Sequence, residues 1–321
     1  MSAKILVVGH RNPDNDSISA AVGYAHLKNA LAARDGEAGV EYVPARLGPL
    51  PVESAWMLER NNIPEPVLID NVNPVERDGE EVKQQVILVD HNEIAQAAPG
   101  IENAEVVEVI DHHRIADIST ANPILFLNLP IGSTATIVTL QFRQTGIEMP
   151  DSIAMVLLSA ILTDTVIMKS PTCTPVDVEQ VNFLADKLGL SAVDFGMEIF
   201  RTRGGERTMP IAKLVEADSK EFKVSDDVTV LIAQRETVDL PTVMGREAEI
   251  REHMRKLVDE GGYEFALLMA TDILAEGSQF IVEGDTARVN RVFDIECCEG
   301  GNWMPGVLSR KKQVAAPILA S

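Results

Sequence analysis

Ile5-Leu6-Val7-Val8-Gly9-His10-Arg11-Asn12-Pro13-Asp14-Asn15-Asp16-Ser17 carries four apolar residues straight into a loop of histidine, arginine and aspartate. A short continuous apolar run of this kind reads as a strand buried on both faces of a parallel sheet. Asp16-Ser17 can cap a following helix, and Ser17–Ala33 has helical apolar spacing. Further outward, similar runs stand at Val67–Ile69, Val86–Val89 and Val106–Ile110, with amphipathic stretches at Glu53–Asn61, Thr134–Gln144 and Ser152–Leu162. Strands alternating with helices predict an α/β fold, a parallel sheet sandwiched by helices.

The chain has 321 residues, about twice the ~100–200 of one domain, so two are expected. Past residue 175 the pattern turns helical over Val176–Leu188 and Ala192–Phe200. Glycine and charge at residues 204–208 then break it, which marks a linker between an N-terminal domain (1–203) and a C-terminal one (209–321). Strand-like Val228–Ala233, Phe265–Ala270 and Phe280–Val282 and a helix near Ala248–Val258 make the second domain a smaller mixed α/β unit. No internal repeat is visible.

Hydrophobic residues at 45% and charged residues at 24% are the proportions of a globular protein. Twenty-eight basic against forty-nine acidic residues leave a net charge of −21. That charge repels a nucleic-acid backbone and argues against a general DNA or RNA binder. A small anion is still admissible where metal ions or a local basic cluster reverse the field. The three cysteines, Cys173, Cys297 and Cys298, form no disulfide framework and suit a reducing compartment. With no signal-peptide pattern and no apolar run of ~18 residues, a cytoplasmic protein free of membrane segments is expected.

Four of the six histidines lie in three aspartate-rich clusters, each directly after an expected strand. They are His10 to Asp16, then Asp90-His91-Asn92-Glu93, then Asp111-His112-His113-Arg114; Asp164, at the end of an apolar helix, is a fourth candidate. In parallel sheets ligands bind beyond the carboxyl ends of strands, where such loops converge. Any one acidic loop alone is an ordinary helix cap or turn; three in the same topological place point to a metal site. Imidazole and carboxylate donors without thiolates suit Mn²⁺, Co²⁺ or Mg²⁺ rather than structural zinc. Six ligands are too many for one ion and about right for two, roughly 3.5–4 Å apart, which can clamp both oxygens of a phosphoryl displacement. His26 and His253 are given no role.

Near the carboxyl terminus, Ser309-Arg310-Lys311-Lys312-Gln313 is a basic exception in an acidic chain. Guanidinium and ammonium groups together can clamp phosphate oxygens. With this segment added, the chain resembles the manganese-dependent (family II) inorganic pyrophosphatases of the DHH phosphoesterase superfamily. The resemblance runs through Gly9–Ser17, Val86–Glu93, Glu108–Arg114, Gly132–Thr136, Ser159–Thr165, Lys169–Thr174 and Ser309–Val314, with no departure at the motif positions.

The resemblance implies that His10 and Asp14 bind one metal, that Asp16, His112 and Asp164 bind the other, and that Asp90 bridges both. It implies that His113 meets the substrate and that Lys220, Arg310 and Lys311 of the second domain grip pyrophosphate. Two Mn ions per subunit (Co²⁺ as a substitute), Mg²⁺ with the substrate, and a homodimer through the N-terminal domain are implied as well. The implied reaction is hydrolysis of pyrophosphate by a metal-bridging hydroxide without a covalent intermediate. No organic cofactor is expected. Asp16 and Asp90 stand 74 positions apart, which leaves no room for the nucleotide-binding insert that some members carry. The alternatives are an exopolyphosphatase, whose members tend to replace the first-block histidine, and a DHH nuclease, whose Gly-Gly-Gly-His motif is missing here.

Overall fold

A computed structural model describes residues 3–37, 39–77, 79–203, 205–225 and 227–321. It divides into two compact units, Met1–Arg203 and Gly204–Ser321. The N-terminal unit contains β1 (Ala3–Arg11), α1 (Asn15–Asp35), β2 (Val40–Leu47), α2 (Val52–Arg60), β3 (Val67–Leu68), β4 (Val75–Arg77), β5 (Glu80–Val82) and β6 (Gln85–Val89). It continues with β7 (Glu105–Asp111), β8 (Leu125–Asn128), α3 (Thr134–Thr145), α4 (Asp151–Asp164), α5 (Pro175–Leu188) and α6 (Ala192–Thr202).

Six of these strands form one sheet in the order β3-β2-β1-β6-β7-β8, every pairing parallel. The chain therefore builds outward from β1 on one side and then from β6 on the other. The reversal lies between β1 and β6, the place where open parallel sheets leave a crevice for ligands. Strand alternation divides the core between the two faces. Val8, Leu88 and Val109 pack with Ala97, Ala98 and Ile101 of the connecting turns. Val7, Ile87 and Ile110, fully buried, point the other way, where α1 and α3 lie against the sheet. Helix α4 packs on α1, α3, α5 and α6 and is mostly apolar. Leu157 at its centre is fully buried, so Leu157→Ala should cost about 2–5 kcal/mol. Urea denaturation of the metal-free protein measures that loss directly.

The structure corrects three expectations. Val67–Ile69 is not a buried strand: Val67 and Leu68 form a two-residue edge strand, 51% and 55% exposed, and Ile69 lies outside it. The interior strand β2 was not expected, because Val40-Glu41-Tyr42-Val43-Pro44-Ala45-Arg46-Leu47 has no continuous apolar run and contains proline. Proline fits because β3 pairs only with Ala45 and Arg46, so the missing N–H at Pro44 faces no partner on that side. The cap of α1 is Asp14, which accepts from Ser17 N, while Asp16 lies within the first turn. Residues 205–208, within the expected linker, form the short helix α7 (Gly205–Thr208); Gly204 lies outside the described residues.

The C-terminal unit continues with α8 (Ile211–Glu216), β9 (Ser219–Lys223), β10 (Thr229–Thr237), α9 (Leu240–Met244), α10 (Glu247–Gly261), β11 (Phe265–Asp272) and β12 (Gly277–Gly284). Helix α11 (Ala287–Phe293), β13 (Asn302–Pro305), a π-helical turn at Arg310–Ala315 and α12 (Ala316–Leu319) complete it. Its sheet is mixed, in the order β13-β12-β11-β10-β9, with β10 and β11 parallel and the rest antiparallel. Leu231, Ala233 and Leu268 pack with α8 and α10 on one face. Val230, Ile232 and Phe280 pack with Val289, Val314 and Ile318 on the other. No helix of the described residues is long and apolar enough to cross a membrane.

Candidate metal centre

The three aspartate-rich clusters follow β1, β6 and β7, so they open at the same end of the sheet around its switch point, and Asp164 closes α4 nearby. Three overlapping ligand groups result: His10 with Asp14 and Asp90; Asp16 with His112 and Asp164; Asp90 with His112 and His113. Within each group the donor atoms lie within 4.8 Å of one another.

Asp90 joins the groups by dividing its oxygens. Its Oδ2 is 3.4 Å from His10 Nε2, while its Oδ1 is 3.3 Å from His112 Nε2 and 3.8 Å from His113 Nδ1. His10 Nε2 also lies 3.6 Å from Asp14 Oδ2. His112 Nε2 stands 3.6 Å from Asp164 Oδ2 and 4.0 Å from Asp16 Oδ2. Asp90 adopts a left-handed backbone, φ 64°, which aspartate tolerates better than most residues. After Asp164, Val166, Ile167 and Met168 are also left-handed, at φ 48°, 53° and 62°. Such a turn, costing about 1–2 kcal/mol per residue, stops α4 at Asp164 and is held by Ile167, buried against Gly196.

The imidazoles are oriented from behind. Nδ1 of His10 donates to Arg11 O at 2.8 Å, and Nδ1 of His112 to Ile131 O at 2.9 Å. A carbonyl can only accept, so each ring turns Nε2 toward the carboxylates, as metal-ligating histidines do. Asp16 accepts from Ser133 Oγ at 2.8 Å, Thr134 N at 2.6 Å and Ala135 N at 2.9 Å. It is thus seated on the N-terminus of α3, where backbone amides favour an anion.

The electrostatics are those of concentrated negative charge. Burial opposes a charge on His10, yet Asp14 and Asp90 overcome it and push the ring up to about 11. His112, likewise buried, is pushed up to about 10 by Asp90 and Asp16. Burial and the carboxylates of Asp90 and Asp14 push Asp164 up to about 7. Burial, Asp90 and Asp164 also raise Asp16, whereas the two imidazoles keep buried Asp90 well below the usual carboxylate range. Asp90 Oδ2 is buried without a hydrogen-bond partner. An orphaned carboxylate oxygen among imidazole and carboxylate donors, with no thiolate, fits divalent cations such as manganese.

The structure thus gathers His10, Asp14, Asp16, Asp90, His112, His113 and Asp164. Lys220, Arg310 and Lys311 belong to the C-terminal unit. Lys220 is exposed on β9. Arg310 donates to Asp218 O and pairs with Asp218 Oδ1 at 2.7 Å, next to the same strand. Gln313 accepts from Leu308 N and Ser309 N, both at 2.9 Å, and so folds the segment that leaves Lys311 and Lys312 exposed.

Sequence reasoning missed the supporting groups. Asp111, fully buried, accepts from His113 Nδ1 at 2.9 Å and from the backbone amides of His112 and His113 at 2.8 and 3.1 Å. Asn92 secures Asp111 from the other side. Hydrogen bonding to Asp111 raises His113, whose side chain is 51% exposed. Asp111 stood in plain view beside two histidines, but only three dimensions show that it faces inward.

The family model "DHH family, N-terminal domain" matches residues 4–161, and "DHHA2 domain" matches residues 197–321. A "Probable manganese-dependent inorganic pyrophosphatase" of Archaeoglobus fulgidus is 40% identical over 99% of this chain and 98% of its own. The manganese-dependent inorganic pyrophosphatase of Bacillus subtilis is 38% identical over 98% of this chain and 97% of its own. A crystal structure from Methanococcus jannaschii, assigned as a family II inorganic pyrophosphatase, is 31% identical and covers 98% of both chains with a TM-score of 0.58.

Proposed function

The chain belongs to the manganese-dependent inorganic pyrophosphatases that join a DHH to a DHHA2 domain, and from that premise we propose that it hydrolyses pyrophosphate to two phosphates at a two-ion centre. The division of Asp90 between two ligand groups carries this reading. His10, Asp14 and Asp90 would hold one manganese ion, and Asp16, His112 and Asp164, with Asp90 shared, would hold the second. Cobalt would serve in place of manganese, and magnesium would accompany the substrate. When bound, the ions supply an acidified water as nucleophile and neutralise charge on the phosphoryl oxygens.

The chain's own groups do the rest. Asp111 fixes His113 so that its exposed edge meets the substrate and offers a proton to the leaving phosphate. Lys220, Arg310 and Lys311 of the C-terminal unit supply cations for the pyrophosphate oxygens. Residues 204–208 link the two domains along the chain. No covalent bond to the chain is needed, because the carboxylates and imidazoles are engaged as ligands. The protein is a cytoplasmic homodimer without nucleic-acid partners. Strand β8 supports the dimer: it ends the sheet, with Leu125 and Phe126 exposed, and a second copy can pair along it.

Metal uptake should depend on pH with a definite sign. Without metal, His10 and His112 hold protons at neutral pH, and these must leave before the Nε2 atoms can ligate. Lowering the pH should weaken manganese binding by up to about tenfold per unit for each proton displaced. Calorimetry in buffers of different ionisation enthalpy should register proton release; uptake without release would contradict the ligand assignment.

The substrate assignment is tested by kcat/KM for pyrophosphate, tripolyphosphate and long-chain polyphosphate with manganese and magnesium present. Pyrophosphate should lead. Preference for the longer chains would make the protein an exopolyphosphatase instead.

A further inference from the structure

Beyond the ligands, one buried carboxylate braces the segment that seats the second ion group without touching the group itself. Asp177 is fully buried in the first turn of α5. Its Oδ2 accepts from Gly132 N at 2.8 Å, Thr174 N at 2.8 Å and Thr174 Oγ1 at 2.7 Å, and its Oδ1 from Thr136 Oγ1 at 2.6 Å. Two of these donors cap α5. The other two belong to residues 131–136, the same short segment that presents Ile131 O to His112 and Ser133, Thr134 and Ala135 to Asp16. Thr134 Oγ1 adds a hydrogen bond to Asp90 Oδ1 at 3.1 Å.

Gly132 makes the close approach possible. A Cβ there would stand 2.7 Å from Thr165 Cγ2 and 3.0 Å from Asp177 Oδ2. Thr165 is fully buried and directly follows Asp164. The contact among Gly132, Asp177 and Thr165 therefore ties the segment behind His112 and Asp16 to the end of the helix that carries Asp164. Nothing in it reaches His10 or Asp14.

We propose that Asp177, acting through Gly132 and Thr136, is a positioning residue that sets the geometry of the Asp16–His112–Asp164 site. It rests on the two-ion reading above. Supporting groups of this kind typically contribute about ten- to a hundredfold to metal affinity. The effect here is weighted to the second site: the interlock reaches the first only through the shared Asp90, by way of Thr134. Asparagine can replace Asp177 because its single carbonyl oxygen can serve Gly132 and Thr174 while its amide meets the Thr136 hydroxyl, which turns to accept. Alanine leaves the buried amides of Gly132 and Thr174 without partners.

The test is stepwise manganese titration of the full-length protein, followed through the spectroscopic signal of free Mn²⁺. Asp177→Ala should weaken the second ion about ten- to a hundredfold and the first by no more than about a few-fold. Asp177→Asn should restore both to within a few-fold. Thr174→Ala, which removes the helix cap but keeps Gly132 and Thr136 engaged, should lower thermal stability and leave both ions. The proposal is overturned by undiminished binding of both ions in Asp177→Ala, by equal loss of both, or by Thr174→Ala losing the second ion as well. Should Asp177→Ala not fold, Gly132→Ala takes its place: selective loss of the second ion supports the proposal, and intact or equal binding overturns it. Wild-type protein that takes up fewer than two ions would defeat the two-ion reading itself, and this inference with it.

Discussion

Asp90→Asn is expected to lower manganese affinity and turnover together, each by more than the ~100-fold limit usual for groups behind the ligands. The carboxylate serves His10 through one oxygen and His112 through the other, 3.4 and 3.3 Å away. An amide has a single acceptor oxygen, so one ligand group would face an N–H₂ where an anion stood. The central negative charge would also be lost. Backbone strain does not confuse the outcome, since the position is left-handed at φ 64° and asparagine tolerates that region as well as aspartate. The variant should therefore fold and fail chemically. Metal content after gel filtration, read beside the rate, checks this: full content with full activity would remove Asp90 from its bridging role.

Arg310→Ala is expected to raise KM for pyrophosphate roughly ten- to a hundredfold, the equivalent of a charge-assisted hydrogen bond of ~1.5–3 kcal/mol. Turnover at saturation should change much less. Arg310 is held against Asp218, which precedes β9 and Lys220, so its guanidinium is placed beforehand. Arg310→Lys should recover only part of the affinity, because lysine keeps the charge but not the planar fork. Initial rates over a range of pyrophosphate at saturating manganese separate the two constants. A fall in kcat with unchanged KM would place Arg310 in the chemical step instead of in substrate capture.

The ligand clusters were legible because each follows an apolar run, and the parallel-sheet rule then brings together loops distant in sequence. His10, Asp90 and His112 could be singled out on that ground alone. Strand β2 was not legible, since Pro44 and Glu41 argue against an interior strand unless one knows that β3 is only two residues long. Val67 and Leu68 misled in the opposite sense: their apolar pair suits a buried strand, but at the sheet edge they are exposed. Asp177 reads as the acidic half of a helix cap with Thr174, and it is that. Its second task, holding Gly132 from 45 positions away, leaves no local trace. Lys220 carries no signal of its own on a strand of alternating charge, and only the family resemblance brought it forward.

A manganese centre built on these carboxylates and imidazoles is expected to cleave pyrophosphate. The most direct test is phosphate release from pyrophosphate by protein stripped with a chelator and by the same protein reloaded with manganese, magnesium being present in both. Release should be negligible from the stripped protein and should recover fully on reloading with two manganese ions per chain. Equal release from both samples, or none from protein shown to hold both ions, would contradict it.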